Sequence, residues 1–331
     1  MDLDAYVAEH AGEWRRLEQL SRRRKLTVGE VDELVALYQR AATHLSVVRS
    51  RSPDPSVVAR LSRLVLGGRS ALTGSRSYSA KAVGRFFTTT FPLAAYRGLA
   101  WWSAVATVCT AVSLAIMGYV AANPGVPRLF LSQSEIDDIV NSSFVSYYSE
   151  YKPQNFALMV WTHNAFLSAQ CLAAGVLLLP VVYLLWNNTL NLGLVGGVMI
   201  GNGHSDVFFT YILPHGLLEL TAVYVAAGFG LRIGWSWIAP GRDRTRGKAL
   251  AQTAREAILV AVGLVGVLFV SGIIEAFVTP SSLPPIVRIG IGLAAWGGFL
   301  GYVILLGRRA AVAGERADIS EFERGADTPT V

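Results

Sequence analysis

The sequence predicts an all-α fold: a polytopic bundle of about six transmembrane helices, with an amino-terminal helical region on the cytoplasmic side. Three observations carry this. Of 331 residues, 52% are hydrophobic and only 16% are charged, against about 25% charged in an ordinary soluble chain. The apolar residues gather in runs, and a bilayer needs about 20 such residues per helix. The basic residues collect outside those runs, as Lys and Arg do in cytoplasmic loops. That bias also accounts for the net charge of +6, so no nucleic acid is expected as a partner.

Residues 1–90 read as a cytoplasmic helical arm. The start, "MDLDAYVAEHAGEWRRLEQL", is acidic and then amphipathic and has no apolar signal-peptide core. Insertion is therefore expected to rest on internal helices. Thr27 and Glu30 stand at capping-box spacing, and Val31, Leu34, Val35, Leu37 and Tyr38 then give a helical apolar stripe. "SPDPSVVARLSRLVLGG" reads as a second capped helix, stopped at Gly67 and Gly68. The arginines that recur from Arg15 to Arg97 suit solvated faces beside an anionic inner leaflet, or a docking surface for a partner. "RFFTTTFPLAAYRGLAWW" (85–102) reads as an interfacial elbow, with aromatic side chains for the headgroup zone and Pro92 breaking the line.

Residues 91–307 form the expected membrane bundle, with spans at 99–121, 156–186, 188–203, 214–238, 256–278 and 287–307. The stretch 123–155 is polar and slightly acidic, carries Tyr147, Tyr148 and Tyr151, and is expected to lie on the outer surface as an amphipathic helix. The run 156–186 is longer than one straight span needs, so Pro180 is expected to kink it. "NNTLNLGLVGGVMIGNG" is short, glycine-rich and polar at its start, and at membrane depth must be shielded by protein. The basic "PGRDRTRGK" marks a cytoplasmic loop. An even number of crossings between it and the basic arm places both termini inside. Residues 308–331 form a polar cytoplasmic tail. Cys109 and Cys171 sit in apolar runs and read as buried thiols.

Ionisable residues inside the spans mark the candidate site. "ILPHGLLEL" puts His215 and Glu219 four residues apart, on one helix face. Glu275 falls near the outer end of the fifth span, and His163 and Asn164 in the outer half of the second. An ionised carboxylate at the midplane costs about 2.5–3.5 kcal/mol, so these groups are expected to converge. Three readings stay open. They could form a buried hydrogen-bonded network that fixes helix register. His163, His215, Glu219 and Glu275 could ligate zinc or iron. A His–carboxylate pair could also support hydrolysis, with Ser168 and Thr221 in the neighbourhood. No HExxH or other dense zinc signature is present. Arg288 is expected to pair with Glu275. Asn187, Asn188 and Asn191 read as helix caps and interhelical hydrogen-bonding groups, and His204 as a solvated loop residue. The small-residue runs "GLVGG" (193–197) and "GIGLAAWGG" (290–298) suit helix packing within one chain or in a homodimer.

"PHGLLEL", the upstream "NN…NLGLVGGVMIGNG" and the later "GIIEAFVTP" resemble the stage II sporulation protein M family of integral membrane proteins. The resemblance runs over about residues 90–305 and is most specific at Pro214, His215, Gly216, Glu219 and Glu275. The long arm is closer to the non-sporulating branch. The family's namesake is a membrane scaffold that recruits a peptidoglycan hydrolase and an accessory membrane-anchored protein, and non-sporulating relatives are often encoded beside MoxR-type ATPases. The resemblance brings no catalytic residue. It implies a non-enzymatic scaffold in the cell membrane that holds envelope and peptidoglycan-remodelling partners. Two alternatives are kept. One is an intramembrane metal-dependent hydrolase; the other is a transporter or export permease, suggested by the broken third span.

Overall fold

The computed structural model describes residues 2–23, 26–51, 53–72, 80–143, 153–315 and 317. Among the described residues every regular element is helical. The chain divides into two compact units, with the boundary between Ala82 and Val83.

Among the described residues the first unit holds α1 (Leu3–Ser21), α2 (Val28–Arg51) and α3 (Pro55–Leu72). Each start is capped by a side chain. Asp2 accepts from the backbone of Asp4 and Ala5, Thr27 and Glu30 close a reciprocal box, and Asp54 accepts from Ser56 and Val57. One apolar face of each helix is buried, joining Leu17, Leu20, Leu34, Leu37 and Ala41, with Trp14, Val48 and Leu61 beside them. Gly67 and Gly68 do not stop α3 as expected. The helix runs on to Leu72 because Gly68 is a packing residue: a Cβ there would lie 3.2 Å from Leu17 and 3.3 Å from Tyr38.

α4 (Ala80–Arg85) runs across the boundary, and the second unit continues with a π-helical turn (Phe86–Thr90) and α5 (Phe91–Arg97). Part of this stretch, the expected elbow, turns inward, while Phe87 stays exposed. Phe91, Leu93, Ala94 and Ala95 are buried in the bundle core. Phe91 packs against Gly263, and Tyr96 and the Pro92 carbonyl against Gly307. Next come α6 (Leu99–Ala122), a 3-10 turn (Pro127–Leu129), α7 (Gln133–Asp138) and a second π turn (Ile139–Ser143). Ser132 and Glu135 form a capping box on α7, and Ile136 packs with Val120 and Val198. Tyr147, Tyr148 and Tyr151 lie outside the described residues.

Then follow α8 (Pro153–Ala173), a 3-10 turn (Ala174–Leu177) and α9 (Leu179–Gly201). The break between the second and third apolar segments thus falls at Leu178, not near residue 187. Leu178 takes φ +60°, and Pro180 sits in the first turn of α9, where its missing N–H costs nothing. Asn187, Asn188 and Asn191 are consequently mid-helix rather than capping residues. Asn187 donates to the Tyr183 carbonyl one turn back, and Asn187 and Asn191 are exposed. The "GLVGG" run packs within the chain, with Gly193, Gly196 and Gly197 against Ile116, Met117 and Val120 of α6.

The longest helix is α10 (Ser205–Ile238), followed by α11 (Arg246–Ile273), a third π turn (Ile274–Val278) and α12 (Pro285–Val312). α10 begins nine residues before the expected start at Pro214, which lies inside the helix, and His204 stands at its N-cap position. α10 is the hub: Ala222–Gly230 is buried without interruption, and α6, α8, α9, α11 and α12 all pack on it. Among the described residues four helices are long and apolar enough to cross a membrane: α6, α10, α11 with its π turn, and α12. The most apolar stretch of α10 is 72% buried by protein and that of α12 only 17%, so α12 presents most of its apolar surface outward, as a lipid-facing helix does.

Candidate functional site

The site forms where α10 meets the end of α11. On α10, His215 and Glu219 point the same way, one turn apart. Gly292 of α12 fits against the backbone of Pro214, where a Cβ would come within 2.4 Å of the Pro214 carbonyl oxygen. On α11, the third π turn begins after Ile273, and its closing bond runs from the Thr279 N–H to the Ile274 carbonyl, 3.0 Å, five residues back. The wider turn brings Glu275 and Thr279 to the inner face, where Glu275 is 4% exposed and Thr279 fully buried.

Hydrogen bonds fix the orientation of the imidazole. Ser271 donates to the His215 carbonyl at 3.2 Å, which ties α11 to α10. His215 Nδ1 lies 3.2 Å from Thr279 Oγ1. The Thr279 hydroxyl also lies 3.5 Å from the Ile274 carbonyl; when its proton is donated there, it accepts from Nδ1–H. The other nitrogen, Nε2, then carries a lone pair, and it faces Glu275 Oε1 at 3.8 Å. The Glu219 side chain meets both Glu275 and the Asn164 amide from α8. One ligand atom from each of His215, Glu219 and Glu275 lies within 4.8 Å of the others. The second Glu275 oxygen is buried with no hydrogen-bond partner. Two carboxylates packed together in a low dielectric repel strongly, so a proton or a cation must lie between them.

Two sequence expectations need correction. His163 is exposed and is not part of this cluster; its neighbour Asn164 is the α8 residue that faces in, because each helical residue turns by about 100°. Arg288 does not pair with Glu275. It donates to the Thr279 carbonyl at 2.6 Å and stacks over Tyr211, 5.4 Å from the ring centroid. That carbonyl is left open by the end of the helix, where a cation is favoured. Thr221 is engaged elsewhere, accepting from the Trp296 indole at 3.0 Å while donating to the Leu217 carbonyl.

Two further groupings escaped the sequence reading. Arg232 on α10 and Glu256 on α11 approach to 2.9 Å, and the Glu256 side chain is 7% exposed. The signal was an arginine inside the apolar run "GFGLRIGW", since intramembrane cations need partners. In the first unit, His10, Glu13 and His44 also gather within 4.8 Å, and the two imidazoles stack at 4.0 Å. Here the Trp14 indole donates to His44 Nδ1 at 3.1 Å. An indole N–H can only donate, so His44 Nε2 bears the proton and offers a donor rather than a ligand lone pair. Glu13 is already bound by Arg40 at 2.6 Å. This cluster packs α1 on α2.

Fold and site together define a helical membrane protein with a buried His–carboxylate cluster. Residues 106–280, just over half the chain, match the family model for stage II sporulation protein M, and the chain belongs to that family. Asn164, His215, Glu219 and Glu275 all fall within the matched region. Residues 4–74 match a second model, described as a domain of unknown function (DUF8413). No curated protein and no solved structure matches the chain.

Proposed function

We propose that the protein is an integral scaffold of the bacterial cell membrane, holding peptidoglycan-remodelling enzymes and accessory membrane proteins in place. One observation carries the reading. A compact helical unit with its own core and its own family match is joined to a membrane unit of the stage II sporulation protein M family. An adaptor is built this way, with one module to bind and another to anchor. In this reading α8 and α9 supply two further crossings, which gives six spans and leaves both termini in the cytoplasm. The arm meets cytoplasmic partners, the segment around α7 meets partners outside, and the lipid-facing side of α12 is available to lipid or a second copy.

Topology is tested with single cysteines, both native ones being buried. Ser134→Cys and Ser282→Cys should label from outside intact cells, and Asp243→Cys only after permeabilisation. Reversed labelling would overturn the orientation. Photo-crosslinkers on the outer faces of α1–α3 and on α7 should capture envelope proteins, and His215→Ala should leave that set unchanged. If deleting residues 2–72 and 127–143 alters neither the crosslinked set nor cell-envelope morphology, the scaffold reading fails. The His–carboxylate cluster supports a second reading, metal-dependent hydrolysis of an envelope lipid or lipid-linked substrate. Turnover by the purified protein that Glu275→Gln abolishes would favour it over the scaffold.

A further inference from the structure

We infer that His215, Glu219 and Glu275 bind a divalent transition-metal cation of the zinc class inside the helix bundle. This goes beyond the scaffold reading and stands independently of it. The donor set comes first. An imidazole nitrogen with two carboxylates suits zinc, manganese or ferrous iron, whereas magnesium and calcium prefer oxygen alone. The imidazole is arranged for the task. Thr279 stands 3.2 Å from Nδ1, and in the tautomer with Nδ1 protonated the Nε2 lone pair faces Glu275. Metal-bound histidines are oriented by just such a partner on the other nitrogen. The Asn164 amide, which donates to the Val160 carbonyl at 3.2 Å, also meets the Glu219 side chain.

Charge and geometry add to this. Glu275 is 4% exposed, and one of its oxygens is buried with no hydrogen-bond partner. The cation expected to neutralise it, Arg288, is committed to the Thr279 carbonyl. An imidazole and two carboxylates therefore converge where Arg288 does not supply the compensating charge. Ligands at about 2.0–2.2 Å around a tetrahedral ion stand roughly 3.3–3.6 Å apart. The Nε2–Oε1 separation of 3.8 Å is already close to that, and the full set within 4.8 Å needs only small rotations of two glutamate side chains. Glu275 rides on a π turn, a distortion that recurs at functional sites.

The test uses the full chain, purified in detergent with an affinity tag that contains no histidine. It is stripped with a chelator and offered zinc, manganese or magnesium singly. Wild type should take up about one zinc or manganese per chain and no magnesium. Zinc should raise its melting temperature. Glu219→Gln and Glu275→Gln keep the shape of each side chain while removing its charge. Both should elute as folded protein yet bind zinc at least roughly tenfold more weakly and lose the zinc-dependent thermal shift. His215→Ala should lose binding as well. The inference is overturned if stripped wild type shows no zinc uptake or thermal shift, or if zinc uptake is unchanged in both glutamine variants. In the first case the two carboxyls share a proton. Partner crosslinking is a separate readout, so failure here leaves the scaffold reading standing, and the reverse.

Discussion

Single side chains in this bundle differ in how their charge is compensated. Arg232 and Glu256 compensate each other at 2.9 Å across α10 and α11. Removing one member of such a pair strands a buried charge and costs about 3–5 kcal/mol. Glu256→Gln should therefore destabilise the bundle by about 3 kcal/mol, read from denaturant titration in mixed micelles. The double variant Arg232→Met, Glu256→Gln should recover much of the loss, because it leaves no charge behind. A double variant that is worse than either single one would show that the pair acts through packing instead. Residues of this kind are legible in a sequence when a charge interrupts an apolar run, and this is how His215, Glu219 and Glu275 were found. Arg232 stands out less because the basic loop begins ten residues later, at Arg242. Which of His163 and Asn164 faces inward was not legible: both sit in one apolar segment, and only packing on α10 and α11 decides between them.

At the scale of elements, close backbone approaches determine how the helices cross. Gly230 of α10 lies against α8, where a Cβ would stand 2.2 Å from the Cys171 carbonyl oxygen, and Gly175 meets Gly230 in turn. Backbone cannot move aside as a side chain can. Gly230→Ala should thus cost more than the about 1–3 kcal/mol typical of overpacking. Gly297→Ala on α12 meets nothing within 4 Å and should stay within about 0.5 kcal/mol of wild type. Equal losses in the two, measured in the same micelles, would contradict this account of the crossing. Apolar runs made most of the helices legible. Their ends were less so, because proline has two uses. Pro180 opens α9 and Pro214 lies within α10, yet each is a proline in an apolar run. The difference lies in the backbone before each: Leu178 at φ +60° breaks the chain ahead of Pro180, whereas the helix continues through Pro214.

At the scale of the whole molecule, two compact units with separate cores should respond separately to pH. In the first, burial holds the His44 imidazole below its ordinary value of 6.5. His10 and Arg40 act in the same direction, while Glu13 and Glu9 oppose them. Trp14 blocks one ring nitrogen, and Tyr6 and His10 pack on the ring. Above pH 6.5 the ring is neutral folded or unfolded, and this group contributes no pH dependence. As the pH falls through 6.5 the unfolded chain takes a proton that the folded unit resists, so stability falls with acid. Amide exchange measured by mass spectrometry should quicken in α1, α2 and α3 together between pH 7.5 and 5.5, once corrected for the intrinsic rate, because the three share one buried face. His44→Gln should flatten that change. A response confined to the α1–α2 contact, with α3 unmoved, would mean that the three helices do not unfold as one.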